Sequence, residues 1–367
     1  GEEAIVQLIE ALENGSRGLR DPFEYDSSDQ DPMFSHLIDV QGLCFPSGGN
    51  LVKKPYARKI ENIENLPFPD WDAINFYEYA RTQSMAPIGF RRYANLMTSR
   101  GCPFRCIYCH DHLGKSFRAR SPGLVVDEIE TLYRKYRIKH FEIIDDIFNF
   151  NKKRTIEICN EISRRNLKIR IAFPNGLRGD LLDEEVIDAL AEAGTHFISF
   201  AVETATPRLQ KLVRKHNRLE ILKKNIDYAV RKKIFSYGFF MIGFPTETRE
   251  EIEATIEFAC NSNLNAASFF IVTPFGGTEL YHRLADQPGK RDVLFDDYDF
   301  DSGKANCSEF SDAELLGFHR QAHRRFYFSF RRIWLFFRGI LANWDTLPGF
   351  TLMLLGRFPL ILRRLIG

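Results

Sequence analysis

Three shortages narrow the sequence before any motif is read. The 367-residue chain has no uninterrupted apolar run of bilayer-spanning length and no apolar leader segment, so neither a membrane span nor a secretory signal is expected. Its cysteines number seven, an odd count in a long chain, which speaks against a disulfide framework. Acid is scarce in one place: from Arg320 to the end stand nine Arg and one acid, Asp345. The formal net charge of +1 thus hides a basic C-terminus on an otherwise acidic chain, the mark of a basic interaction surface. The composition, 44% apolar and 27% charged, is ordinary for a globular protein and excludes disordered and collagen-like classes. Phe is in excess at 33 residues, which predicts large aromatic cores or an apolar surface. The length suits one barrel-sized domain with attachments. Because the first residue is Gly1 rather than Met, the chain is expected to be a fragment or a processed product.

The densest chemistry lies in Thr98-Ser99-Arg100-Gly101-Cys102-Pro103-Phe104-Arg105-Cys106-Ile107-Tyr108-Cys109-His110. Three thiols within eight residues, bent by Gly and Pro, can each reach a different iron of one iron–sulfur cluster. A cubane needs four ligands and this loop supplies three, which leaves one iron open for chemistry. Two plainer readings stand beside it. Zinc would recruit His110 or His112 as a fourth ligand, and incidental thiols would need no partner. Cys44, Cys159, Cys260 and Cys307 have no ligand spacing, and Cys159 and Cys260 read as buried helical thiols.

Residues 1–20 predict an amphipathic helix on Ile5, Leu8, Ile9 and Leu12. A polar linker follows, with apolar pieces at Leu37–Val40 and Gly42–Phe45, a hairpin-like turn over Pro46–Asn50, and a stiff connector at Leu66–Trp71. From Asn95 short apolar runs alternate with helical periods. Strands are expected at Asn95–Thr98, Phe141–Ile144, Lys168–Phe173, His196–Val202, Tyr237–Ile242 and Ala266–Val272. Six β/α repeats with near-continuous apolar strands predict an α/β fold, a partial (β/α)6 TIM-like barrel with a parallel sheet buried on both faces. The expected division is 1–85 for an N-terminal remnant and linker, 86–288 for the barrel, and 289–367 for a helical basic-aromatic extension.

The working face of such a barrel is the C-terminal end of its strands. Those ends carry the Cys loop, Asp145-Asp146, Asn175 with Arg178, Glu203, the Gly243–Thr246 turn and the Gly276-Gly277 turn. Neighbouring strand residues face opposite ways, so one of Asp145 and Asp146 should face the site and the other can cap a helix. Arg178 suits a carboxylate, or a salt bridge to a local acid. Glu203 suits a diol or an ammonium, or a plain loop role. Thr246 or Thr248 is expected to cap the helix after the fifth strand.

The Cys spacing with Tyr108 before the third thiol resembles the radical S-adenosylmethionine (SAM) superfamily, and the likeness runs from about Asn95 to Leu284. Asp145-Asp146-Ile147-Phe148 and Phe240–Thr248 resemble the cobalamin-binding subfamily. So does the order Gly1-Glu2-Glu3, first helix, Gly42–Phe45, Leu66–Trp71, which looks like the tail of a cobalamin domain whose body is missing. This resemblance implies a [4Fe–4S] cluster on Cys102, Cys106 and Cys109, SAM on the open iron, and an allowance for cobalamin. It implies Tyr108 against the adenine, Glu203 on the ribose or amino group, Asp145 and Asp146 near the methionine amino group, and Asn175, Arg178 and Gly243 in the cofactor site. The function implied is reductive cleavage of SAM to a 5′-deoxyadenosyl radical for methylation or other C–H functionalisation of an unactivated carbon. A flavodoxin or ferredoxin would supply the electron. RNA methylthiotransferase activity and non-catalytic metal binding are the rivals. The substrate is expected to be a small molecule or a lipid. The thiol motif predicts a reducing, cytoplasmic setting. The tail mixing aromatics with Arg, from Phe318 on, suits a core helix on the barrel with its Arg solvated, a helix at an anionic membrane face or an apolar groove for a lipophilic substrate, or, ranked last, nucleic acid.

Overall fold

The computed structural model describes residues 2–15, 40–47, 50–53, 55, 59–79, 84–90, 92–285, 305–348 and 351. Two compact units result, Gly1–Asn62 and Ile63–Gly367. The first holds the helix Glu2–Gly15 and an antiparallel hairpin of β1 (Cys44–Ser47) and β2 (Asn50–Lys53), with Phe45 opposite Val52. The expected apolar piece Leu37–Val40 and the end of the 1–20 helix fall largely outside the described residues, as do 289–304 of the extension.

In the second unit six strands form one parallel sheet. They are β3 (Ala94–Leu96), β6 (His140–Ile143), β7 (Arg170–Leu177), β8 (Thr195–Glu203), β9 (Phe235–Ile242) and β10 (Ala266–Ile271), and the spatial order is β10-β9-β8-β7-β6-β3. A small antiparallel pair, β4 (Ser99–Arg100) and β5 (Arg118–Ala119), brackets the Cys loop. Sheet order follows chain order because each crossover is a helix that packs back on the same face. Those helices start where the chemistry says they should. Ser121 accepts from Leu124 N ahead of Pro122–Arg134, Asp183 accepts from Val186 N ahead of Glu184–Glu192, and Thr248 forms a reciprocal capping box with Glu251 ahead of Arg249–Asn261.

One set of strand side chains, among them Phe141, Phe173, Phe200, Phe240 and Phe269, packs outward on helix residues such as Val125, Ile129, Ile158, Leu190, Ile226 and Ile256. The other set points inward. At the strands' N-terminal ends Ala172, Phe197, Phe235 and Ala266 close on Ala86 and Ile88, so the barrel is plugged there. The connector is anchored as well: Trp71 Nε1 donates to Glu128 Oε1 at 3.1 Å, and Glu128 also pairs with Arg120 at 2.6 Å, both carboxylate and guanidinium being buried.

The basic-aromatic tail divides into two helices, Asp312–Tyr327 and Phe330–Ala342, because Ser329 leaves helical geometry and caps the second by accepting from Arg332 N. The first packs on the barrel through Leu315, Phe318, Ala322 and Phe326. Its His319 Nε2 bonds Phe269 O at 2.8 Å, and its Tyr327 hydroxyl donates to Ala267 O and accepts from Ala267 N, at 2.6 and 3.1 Å. Both carbonyls belong to the outermost strand, β10. Arg332 is buried rather than solvated. Its guanidinium donates to the carbonyls of Ala259, Cys260, Ser262 and Leu264, which closes the C-terminus of the helix Arg249–Asn261.

Candidate active site

The Cys loop is fixed from below by carboxylates. Asp145 is fully buried at the tip of β6 and accepts from Thr98 N and Thr98 Oγ1, both at 2.6 Å, and from Ser99 Oγ at 2.5 Å. Burial raises its pKa against these bonds. Arg154 completes the network by donating to Thr98 O and Thr98 Oγ1. Asp146 is exposed and accepts from Gly101 N at 3.0 Å. Both carboxylates therefore hold the strand-to-loop passage, and neither caps a helix. Gly101 has φ +83°, and a Cβ there would lie 2.2 Å from Ser116 O, so only glycine fits. Cys102 N donates to Gly114 O, Ile107 N to Val213 O, and Leu280 N to Ile107 O, which seats the loop across the strand tips.

The three thiols influence one another. Cys109 reaches the surface, yet partial desolvation, above all, pushes its thiol up to about 11, with Cys106 and Cys102 adding to it. Burial likewise raises Cys102. Lys215 acts in the opposite sense on both. It is buried, and although burial works to discharge its ammonium, Glu203 and Cys106 outweigh that and hold it up. Lys215 Nζ lies 3.1 Å from Glu203 Oε1 in a pair about nine-tenths buried on each side. Glu203 sits at φ +69°, beyond a register shift between Ala201 and Glu203 that turns its side chain off the strand line. Arg214 and His216, the neighbours of Lys215, also have positive φ. Strain and buried charge coincide at this end of the barrel.

Several buried polar atoms lack hydrogen-bond partners, the Tyr108 hydroxyl and Arg178 Nη1 at this site among them. The Tyr108 hydroxyl makes no hydrogen bond of ordinary geometry, and burial, Glu203 and Cys106 push its ionisation far up. Arg178 lies over the Phe104 ring at 3.8 Å, its Nε pairs with Asp180 at 2.9 Å, and its Nη2 donates to the carbonyls of Lys215 and His216. Its Nη1 is buried without a partner. Orphaned buried groups of this kind fit a ligand that is yet to bind. Among the described residues no three His, Cys, Asp or Glu close on one metal ion. Three thiols that each take a different iron would form a different donor set, and Cys102, Cys106 and Cys109 are free thiols in one loop.

The remaining expected residues take quieter places. Asn175 is exposed and donates to Ile144 O at 2.8 Å. Gly243, at φ +90°, faces Leu315 where a Cβ would project, and its N–H is taken by Glu247 Oε2 at 2.6 Å. Burial raises Glu247 to about 8. Of the two candidate caps, Thr248 is the one that caps. Lys215 was not among the residues expected from sequence. Its only signal is the basic run Arg214-Lys215-His216 after β8, and the structure carries it to the thiols through the helix Pro207–Leu212, also unforeseen.

Residues 96–259 match the model of the radical SAM superfamily. An uncharacterized methyltransferase of Pyrococcus horikoshii is 35% identical over 283 residues, covering 77% of this chain and 56% of its own length. The anaerobic magnesium-protoporphyrin IX monomethyl ester cyclase of Cereibacter sphaeroides is 28% identical, covering 89% of this chain and 50% of itself. This chain thus spans about half the length of the curated relatives it matches. Among solved structures, the radical SAM methyltransferase TsrM from Kitasatospora setae, with cobalamin and a [4Fe–4S] cluster bound, superimposes with a TM-score of 0.60 at 19% identity. That superposition covers 78% of this chain and 53% of TsrM, and it is a likeness of fold.

Proposed function

The chain belongs to the radical SAM superfamily through its residues 96–259, and from that premise we propose that it splits SAM reductively to functionalise an unactivated carbon, methylation being the favoured outcome. The family uses a [4Fe–4S] cluster and SAM. When bound, the cluster supplies the single electron that breaks the sulfonium C–S bond into methionine and a 5′-deoxyadenosyl radical. The observation that carries the reading is the set of three thiols beside the buried Lys215–Glu203 pair at the strands' C-terminal ends.

The division of labour follows from the contacts. Cys102, Cys106 and Cys109 hold the irons. Lys215 offsets the negative charge that three thiolates bring into a half-buried loop. Glu203, re-aimed by its bulge, presents a carboxylate to the ribose diol or the amino group of SAM. The unpartnered Arg178 Nη1 suits the methionine carboxylate, and the Tyr108 ring suits the adenine. Asp146 and Asn175, both exposed, are assigned to the same ligand. Asp145, fully engaged by Thr98 and Ser99, positions the loop, and Gly243 shapes the turn after β9. The catalytic core is read as 86–288, with 1–85 as a remnant of a cobalamin domain and 289–367 as an extension. Cobalamin as a second cofactor rests on the linker motifs and on the cobalamin held by TsrM. A flavodoxin or ferredoxin is the proposed reductant, and the substrate is a small molecule, with a lipophilic one suited to the aromatic tail.

Anaerobic reconstitution tests this directly. Iron and sulfide should each approach about four per chain. SAM should perturb the reduced cluster's electron paramagnetic resonance signal, and 5′-deoxyadenosine should accumulate with dithionite. Bound zinc in place of iron, or undiminished 5′-deoxyadenosine from Cys106→Ala, would overturn the reading. The same assay separates an enzyme from a non-catalytic metal protein.

A further inference from the structure

The helix Phe330–Ala342 is apolar nearly all round, yet only one side of it is covered. Leu335, Gly339 and Ile340 face the barrel. On the other side Phe330, Ile333, Trp334, Phe337 and Leu341 recur at intervals of three and four and form one stripe, which Trp344 prolongs. Phe330 is 94% exposed, Trp334 65% and Trp344 72%. A contiguous aromatic stripe of this size in water marks a surface that something else covers. We propose that this stripe seats on an anionic membrane surface.

Charge selects that occupant. The helix holds three Arg and no acid. Arg331 and Arg332 are spent on backbone carbonyls of the neighbouring loop, while Arg338, one turn from Trp334 and Leu341, has no partner among the described residues. Asp345, the one nearby acid, is engaged by Arg170 at 3.1 Å. A second copy of the same stripe would therefore bring Arg338 against Arg338 with no acid to balance it. Lipid phosphates supply that balance, and Trp and Arg are the side chains suited to the water–lipid boundary. The sequence past Pro348 continues without acid and adds Arg357, Arg363 and Arg364. No helix among the described residues is long and apolar enough to cross a membrane, so the contact lies along the surface.

The chain has three Trp; Trp71 is buried in the core, while Trp334 and Trp344 lie in the stripe, so indole emission reports on this face. The full chain is mixed with phosphatidylcholine vesicles, with and without phosphatidylglycerol. Co-sedimentation and a blue-shifted emission are expected with phosphatidylglycerol and should weaken as salt rises. Trp334→Ala combined with Phe337→Ala should weaken binding about 30-fold, and Arg338→Gln about five-fold. Both should leave circular dichroism unchanged, since these side chains are exposed. Emission that stays red with both vesicles overturns the proposal. So does a chain that pairs in solution and separates on Trp334→Ala, since the stripe is then a copy-to-copy interface. Neither cluster nor SAM enters the measurement, so it stands apart from the test of the proposed reaction.

Discussion

The two ends of the barrel are built from the same strands and to opposite purposes. At the C-terminal ends stand three thiols, an ammonium about nine-tenths buried and a carboxylate in left-handed backbone geometry. At the N-terminal ends Phe197 and Phe235 stack, Ile88 plugs the lumen, and Phe90 lies flat on His140 with ring centroids 3.4 Å apart. Burial, with Arg170 nearby, pushes His140 down to about 4 and also lowers His196 well below the usual imidazole range, so both imidazoles stay neutral. The floor packs around charge that is already partnered, Glu142 accepting from Met85 N and Ala86 N and Arg170 meeting Asp345, whereas the other end gathers the Lys215–Glu203 pair beside three thiols. A barrel can hold a costly site when the cost is met by a packed floor.

Changes at each end should separate reaction from stability. Cys106→Ala should give the largest effect: loss of iron from the reconstituted chain and of 5′-deoxyadenosine to background, with the apo-protein's melting unaltered. Phe197→Ala at the floor should cost about 3–5 kcal/mol in urea unfolding, while the fraction that stays folded still takes up iron. Asp145→Asn bridges the two, since it removes an acceptor shared by Thr98 and Ser99. It should cost about 1–3 kcal/mol and also lower iron occupancy, read by metal analysis. Glu203→Gln should leave iron bound but weaken SAM about ten-fold by equilibrium binding, since one charged hydrogen bond is lost. The last effect is one of pH. His140 binds its proton near 6.5 when unfolded and only near 4 when folded, so the unfolded chain takes the proton first. Stability should fall as pH drops from 6.5 toward 4, and His140→Phe should flatten that slope. A slope unchanged by the substitution would assign it to other groups.

What the sequence made legible was whatever repeats or is local. The alternation of apolar runs and helical periods located all six sheet strands within a few residues, and the thiol spacing located the loop. β7 is longer than expected: the apolar run ends at Phe173, but the backbone continues through Asn175 and Gly176 beside β8 across two register shifts, which no periodicity announces. Lys215 was hidden for a related reason. A lone Lys in a basic run looks solvated, and only the turns at Arg214 and His216 bring it inward. Arg332 misled in the same way, since a mid-helix Arg among aromatics reads as surface until four carbonyls at another helix's end turn out to need it. Local pattern encodes elements, whereas these residues answer to partners 68 to 73 positions away in one case, and to backbone strain in the other.

The sheet is open among the described residues, with β3 as one of its two margins and β10 as the other. Ala267 and Phe269 would there offer bare backbone groups, yet Tyr327 and His319 occupy them, so two side chains do the work of an absent seventh strand. A chain cut before Ser311 would leave that margin adhesive, first to its own copies. The helix Asp312–Tyr327 thus keeps that margin from presenting a bare backbone edge to other chains.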